Sequence, residues 1–317
     1  MKFPVADVHN DTLLQFMQGF EGNACPALDW SACAITPQRL LEGGVAMSCF
    51  AICQGCLPHL DPVWMADRMI EMYHKMVRET PAFLPVFTYA DVERALLEGK
   101  VAAVLAMEGM EACVNAAGVQ TMYDKGVRIA SLAWNRATVF ADGMEGNLGR
   151  GVTAEGKKAI GEMERLGMVL DVSHLTPQAF WDVVEIAQKP FLATHSNAKK
   201  LCGHGRNLDD SQLVALARAG GVAGVNFYTS FLVDEGAASE ADLLAHIDYI
   251  SGHVGSQHVG IGTDYDGCGS LPQGCEDPRC FPRLAESLLR LGYAEDDVRG
   301  IMGGNNIRVC KAVWREG

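Results

Sequence analysis

The residues able to do chemistry in this chain stand at the ends of apolar runs. "FPVADVHND" closes on His9 and Asp11, two apart. Two residues is the side-chain period of a strand, so both project from one face at its C-terminal end. Further along, "KVAAVLAME" closes on Glu108, "GMVLDVSH" on His174, "PFLATHS" carries His195, and "HVGIGTD" closes on Asp264. A charged group at the end of a buried strand is costly unless it is paired or coordinates a metal. Any one of these residues alone reads as a satisfied polar group at a strand end. As a set they read as a metal site. The other six histidines fall in helical patterns, in loops or before a strand.

The ligand types narrow the chemistry. Imidazole with carboxylate oxygen, and no thiolate, suits zinc or a neighbouring divalent metal in a catalytic site. Three histidines and two carboxylates are more than one tetrahedral zinc with an open position can use. They suit two metals bridged by a carboxylate and a hydroxide, with a lowered water pKa and a polarised carbonyl. Asp264 fits either a ligand or the general base, and residue types do not separate the two.

Such a set needs a scaffold that gathers strand ends at one rim. Eight runs qualify as strands: "FPVADVH", "GVAMSCFAI", "KVAAVLAME", "VRIASLAW", "GMVLDVSH", "PFLATHS", "GGVAGVNFY" and "HVGIGTDYD". Their near-continuous hydrophobicity is what strands buried on both faces require. Helical patterns lie between them. "DPVWMADRMIEMYHKMVRET" opens with Asp61 as N-cap and Pro62 behind it, and its Trp64, Met65, Met69, Met72, Tyr73 and Met76 form a core-facing stripe. Thr176, an Asp before "SQLVALARAGG", and Ser239 open three further helices. Strands alternating with helices predict a parallel (β/α)₈ TIM barrel, whose active site lies at the C-terminal rim. A doubly wound open sheet is the rival, weakened because no G-x-G-x-x-G follows the first strand. Residues 19–37, "DEGAAS" and residues 267–282 read as insertions at the catalytic end, and no linker divides residues 1–317, which are taken as one domain.

Composition sets limits. Hydrophobic residues make up 49% and charged ones 21%, as in a protein with a large core. A net charge of −13 argues against nucleic acid and anionic membranes as partners. The opening residues lack an apolar leader and no run approaches a membrane span, which predicts a cytoplasmic protein. The eleven cysteines are accordingly expected to be reduced thiols. That includes the Cys53/Cys56 CxxC, which lacks the second knuckle of a zinc ribbon, and the group Cys268, Cys275 and Cys280.

The ordered motifs resemble those of the membrane dipeptidase (renal dipeptidase) family of metallopeptidases, a branch of the amidohydrolase-like barrels, in its soluble bacterial form. The resemblance covers nearly the whole chain, through "DVHNDTL", "AMEGM", "LAWN", "GVTAEG", "MVLDVSHLTPQAFWDV", "ATHSNAKKLCGHGRNLDD", "GGVAGVNFY", "HVGIGTDYDG" and "GGNNIRV". It implies a binuclear zinc dipeptidase in which a metal-bridging hydroxide attacks the peptide carbonyl. In that scheme His9 and Asp11 hold the first metal, Glu108 bridges, and His174 and His195 hold the second. Asp264 is the acid/base group, and Arg206 binds the terminal carboxylate of the substrate, a task that suits a guanidinium. Dipeptides with a D-residue in second place are implied substrates, and a homodimer is the implied assembly. Two positions depart from the animal pattern. Trp134 stands where animal members carry a substrate-binding histidine, followed by Asn135, so either the metals alone polarise the carbonyl or Asn135 supplies a donor. Phe231 replaces a tyrosine near the substrate, while Tyr228 is retained.

Two alternatives differ in class. A deaminase of this barrel type would show HxH on the first strand, and a phosphotriesterase-like lactonase would carry a bridging lysine near "VRIASLAWN"; neither is present. A non-catalytic metal-binding barrel would have no need of Asp264 beside a full set of ligands.

Overall fold

A computed structural model describes residues 3–18 and 26–316. Among these residues nine strands form one all-parallel sheet: β1 (Val5–Asn10), β2 (Val45–Ile52), β3 (Phe83–Pro85), β4 (Val101–Met107), β5 (Val127–Ser131), β6 (Val169–Asp171), β7 (Leu192–Ala193), β8 (Val222–Val225) and β9 (Val259–Ile261). Their order is β2-β1-β9-β8-β7-β6-β5-β4-β3, and β2 also pairs with β4, which closes the ring. The closed barrel therefore has eight strands, the eight that the apolar runs predict. The ninth, β3, was not expected. It pairs with Val101–Ala103 of β4, while β5 takes Leu105–Met107 further along. A three-residue strand ending in proline carries too little pattern to be read from sequence.

Side chains from the strands alternate between two apolar clusters. One lies inside the barrel and is built of small or slender residues, among them Ala6, Val8, Met47, Ala102, Val104, Val169 and Val222. The other lies between the barrel and its helices, where Leu13, Met65, Met69, Tyr73, Phe180 and Leu284 are buried. The helix Asn305–Val313 supplies Val309, Cys310 and Val313 to the inner cluster. Asn306 just inside its start donates to the carbonyls of Ala6 and Ile261 at 2.9 Å each, tying it to β1 and β9.

The helix starts follow the sequence. Asp61 caps Pro62–Glu79 by accepting from the Trp64 N–H at 2.8 Å, and Thr176 caps Pro177–Ile186 by accepting from Ala179. Asp209 and Ser239 head Asp210–Arg218 and Glu240–Val254 through capping boxes with Gln212 and Asp242. Of the expected insertions, residues 19–25 lie outside the described residues. Residues 26–36 are irregular and are pinned where Ala34 and Ile35 donate to the Asp266 carboxylate.

Candidate metal centre

Each candidate ligand sits at the C-terminal end of a barrel strand or just beyond it. His9 is the penultimate residue of β1, where the β1–β2 register shifts, with Asp11 one residue past the strand. Glu108 follows β4, His174 follows β6, His195 follows β7 and Asp264 follows β9. Five of the barrel strands thus deliver residues far apart in the chain to one rim.

The geometry is a convergence on one oxygen. Glu108 Oε1 lies 2.8 Å from His174 Nε2, 3.3 Å from His195 Nε2 and 3.5 Å from His9 Nε2. The Nε2 atoms of His174 and His195 face each other at 2.8 Å. On the other side of His9, Asp11 Oδ2 lies at 3.6 Å and Asp264 Oδ1 at 3.9 Å. His9 Nε2 and Asp11 Oδ1 are buried and make no hydrogen bond. Two groups therefore have metal-ligand spacing and share His9: His9 with Glu108 and His195, and His9 with Asp11 and Asp264. Buried nitrogens crowded onto one carboxylate oxygen, beside orphaned donor atoms, are what a divalent metal site of N/O ligands leaves behind, so these residues fit the implied metals.

Partners outside the cluster fix which nitrogen faces in. His195 Nδ1 pairs with Thr194 Oγ1 at 2.8 Å, and that hydroxyl donates to Asp171 Oδ2 at 2.7 Å. The hydroxyl has one proton, so Nδ1 carries the imidazole hydrogen and Nε2 keeps its lone pair toward Glu108. His174 Nδ1 pairs with Asn135 Oδ1 at 2.7 Å, with the same consequence. Burial, with the charges of Arg206 and His9 nearby, holds both imidazoles well below the usual histidine range, hence neutral and ready to ligate. His9 differs. Burial pulls it down, but Glu108, Asp11 and Asp264 outweigh that and push it up to about 10. Metal ligation there requires His9 to release its proton.

Asp264 is held near neutrality by its surroundings. Burial, aided by the Asp11 charge and opposed by His9, pushes it up to about 7. Asn226 Nδ2 donates to its Oδ2 at 2.9 Å, leaving Oδ1 toward His9. His174 and Asp264 both take left-handed backbone, with φ of 69° and 62°. Such conformations cost about 1–3 kcal/mol each in a non-glycine residue and cluster at functional sites.

The residues expected on the substrate side are more varied. Arg206 is 8% exposed, and its Nε and Nη2 have no hydrogen-bond partner. Its guanidinium lies over the Phe231 ring at 5.5 Å, and the ring of Tyr228 packs edge-on against Phe231 at 5.1 Å. Trp134 is half-buried with its ring 5.9 Å from that of His174. Asn135 has two partners within the protein: its carbonyl oxygen pairs with His174 and its amide donates to Glu145, which orients the His174 ring.

One expectation is overturned. Cys53 and Cys56 form a disulfide, with Cα atoms 5.6 Å apart, and are not free thiols. The compartment argument addresses the average thiol, whereas the turn after β2 brings these two within bonding range. Cys268, Cys275 and Cys280 are free, as expected. Sequence reasoning also missed Thr194, Asp171, Asn226 and Glu111. The last is half-buried, with desolvation of its carboxyl pushing it up to about 7, and it accepts from the Trp134 N–H at 3.0 Å. Asn226 ends the β8 run as His174 ends β6, and that position was its available signal.

The model of the membrane dipeptidase family, peptidase family M19, matches residues 1–315. The chain belongs to that family. A dipeptidase of Aspergillus oryzae named aclJ is 34% identical over 76% of this chain, and the match spans 59% of that relative's length. Among solved structures of this family, the dipeptidase AC superposes with a TM-score of 0.88 at 30% identity, covering 99% of both chains. A metallopeptidase from Rhodobacter sphaeroides, liganded with a phosphinate mimic of the dipeptide L-Ala-D-Ala, gives 0.87 at 29% identity over 98% of this chain and 99% of that one. Among the described residues of this M19 chain no helix is long and apolar enough to cross a membrane.

Proposed function

We propose that this M19 protein is a binuclear zinc dipeptidase that accepts dipeptides with a D-residue in second place. The observation that carries the reading is the convergence of three imidazole nitrogens on one oxygen of Glu108, with a buried, unpartnered arginine electrostatically coupled to the same carboxylate. His9 and Asp11 would hold one metal, His174 and His195 the other, and Glu108 both. Metals bound there supply the Lewis acidity that lowers the pKa of water and polarises a carbonyl.

The chain's own residues do the rest. Arg206 offers two free nitrogens, Nε and Nη2, in the fork geometry that matches a carboxylate, so it anchors the substrate's C-terminus and fixes the length of peptide that fits. Asp264, with its carboxyl near neutrality, accepts a proton from the attacking water and returns it to the leaving amine. Asn226 holds that carboxylate in place, and Thr194 and Asn135 hold the imidazoles. The relative liganded with an L-Ala-D-Ala mimic supports the stereochemical assignment. The free cysteines support a reducing, cytoplasmic setting, with Cys53–Cys56 as a local exception.

A dipeptide library covering both configurations at the second position tests the reading. The expected result is hydrolysis of L–D members, lost after chelation and restored by zinc. No hydrolysis of any dipeptide by the zinc-supplemented protein would overturn it.

A further inference from the structure

The Cys53–Cys56 pair stands at the rim position that belongs to β2. Its strand lies between β1, which carries His9, and β4, which leads to Glu108. Glu108 donates its backbone N–H to the carbonyl of Ile52, the residue before Cys53, at 2.9 Å. As a result the two sulfurs and a carboxylate oxygen of Glu108 all lie within 4.8 Å of one another. The turn that carries them is braced. Gln54 donates to the Ile52 carbonyl at 3.2 Å and accepts from the Ala112 N–H at 3.2 Å, so the loop has anchors that do not depend on the disulfide. Cys53 is buried, and Cys56 is half-buried and open to a small reagent.

A C-x₂-C pair is half of a thiolate metal site and needs further ligands. The sequence has no second pair, but the fold brings Glu108 to that place. We propose that Cys53 and Cys56, when reduced, form a thiolate metal site that shares Glu108 with the hydrolytic centre, and that the disulfide prevents this capture of Glu108. The cycle balances with a low-molecular-weight thiol as reductant. Two such thiols reduce the disulfide to two cysteine thiols and leave as their own disulfide. The two cysteine thiols then release two protons as a divalent metal binds. Thiolates favour soft metals, so cadmium is captured more strongly than by imidazole and carboxylate alone, and cobalt serves as a spectroscopic probe of the same ligands. Glu108 drawn toward the sulfurs no longer spans the hydrolytic pair, and dipeptide hydrolysis falls. This step depends on the position of Glu108, not on which peptide is cleaved.

Cobalt binding to the full chain tests it, because thiolate ligation gives a sulfur-to-cobalt charge-transfer band that imidazole and carboxylate ligation lack. The expected result is a band in reduced protein, its absence in oxidised protein, and its absence in Cys53→Ser and Cys56→Ser. Cadmium should inhibit hydrolysis at least tenfold more strongly in reduced protein than in oxidised protein or in Cys56→Ser. Cys56→Ser, which alters the more exposed cysteine, should keep its basal hydrolysis. Reduced protein that binds cobalt without the band, or equal cadmium sensitivity in both redox states, would overturn the proposal. A band in protein that cleaves no dipeptide would sustain it and reject the substrate reading instead.

Discussion

At the scale of single residues, the decisive property is which groups have partners and which do not. His195 and His174 have their outer nitrogens satisfied and their inner ones aimed at Glu108, whereas Arg206 is buried with two guanidinium nitrogens unpartnered. An unpaired buried guanidinium is expensive unless a carboxylate arrives, and a charge-assisted pair is worth about 1.5–3 kcal/mol. Arg206→Ala should therefore raise KM for a dipeptide by about 10- to 100-fold, and amidating the substrate's C-terminus should reproduce the loss in the parent enzyme. Steady-state kinetics on both checks this. If the amidated substrate binds the parent as well as the free acid, Arg206 does not read the carboxylate.

At the scale of elements, the barrel uses one device twice. Asp7 on β1 accepts from the hydroxyl of Thr263 after β9 at 2.7 Å, and Asp171 on β6 accepts from Thr194 after β7 at 2.7 Å. Each clamp joins neighbouring ligand-bearing strands and sits directly beneath a histidine. Thr194→Val keeps the shape of the side chain but removes the hydroxyl that fixes His195. Zinc affinity should fall about 10- to 100-fold while the thermal transition of the folded barrel persists. Unchanged zinc affinity would mean that packing alone orients the ring. These clamps also mark what could be read from sequence. His9, Glu108, His174, His195 and Asp264 were legible because an ionisable group ending an apolar strand is energetically conspicuous. Thr194 is neutral and cheap to bury once paired, so nothing in the linear pattern marks it out, and Asn226 was marked only by its place at the end of the β8 run. Trp134 and Asn135 were visible as departures from a family pattern, but only the fold shows that Asn135 serves His174. The Cys53–Cys56 bond depends on a turn at a strand end, which composition does not see.

At the scale of the whole molecule, the rim concentrates like charges that a dication would reconcile. In the metal-free protein the carboxylates around His9 hold its proton up to about 10, against an ordinary value of 6.5. Between pH 7 and 9 the folded chain therefore keeps a proton that the unfolded chain has lost. Stability contributed by this group is full below 6.5 and disappears as pH rises through 10. Denaturant unfolding of metal-free protein should show stability falling with pH across that window, with a slope of about one proton, and zinc should flatten it because a ligating His9 is already neutral. A slope unaffected by zinc would place the metal elsewhere. The most direct test of the account is the zinc content of the oxidised protein and of its Asp264→Asn variant, measured alongside dipeptide hydrolysis. The account predicts two zinc ions per chain in both, with hydrolysis reduced by about 10²- to 10⁴-fold in the variant. A single zinc in the parent, or hydrolysis that survives complete removal of metal, would contradict it.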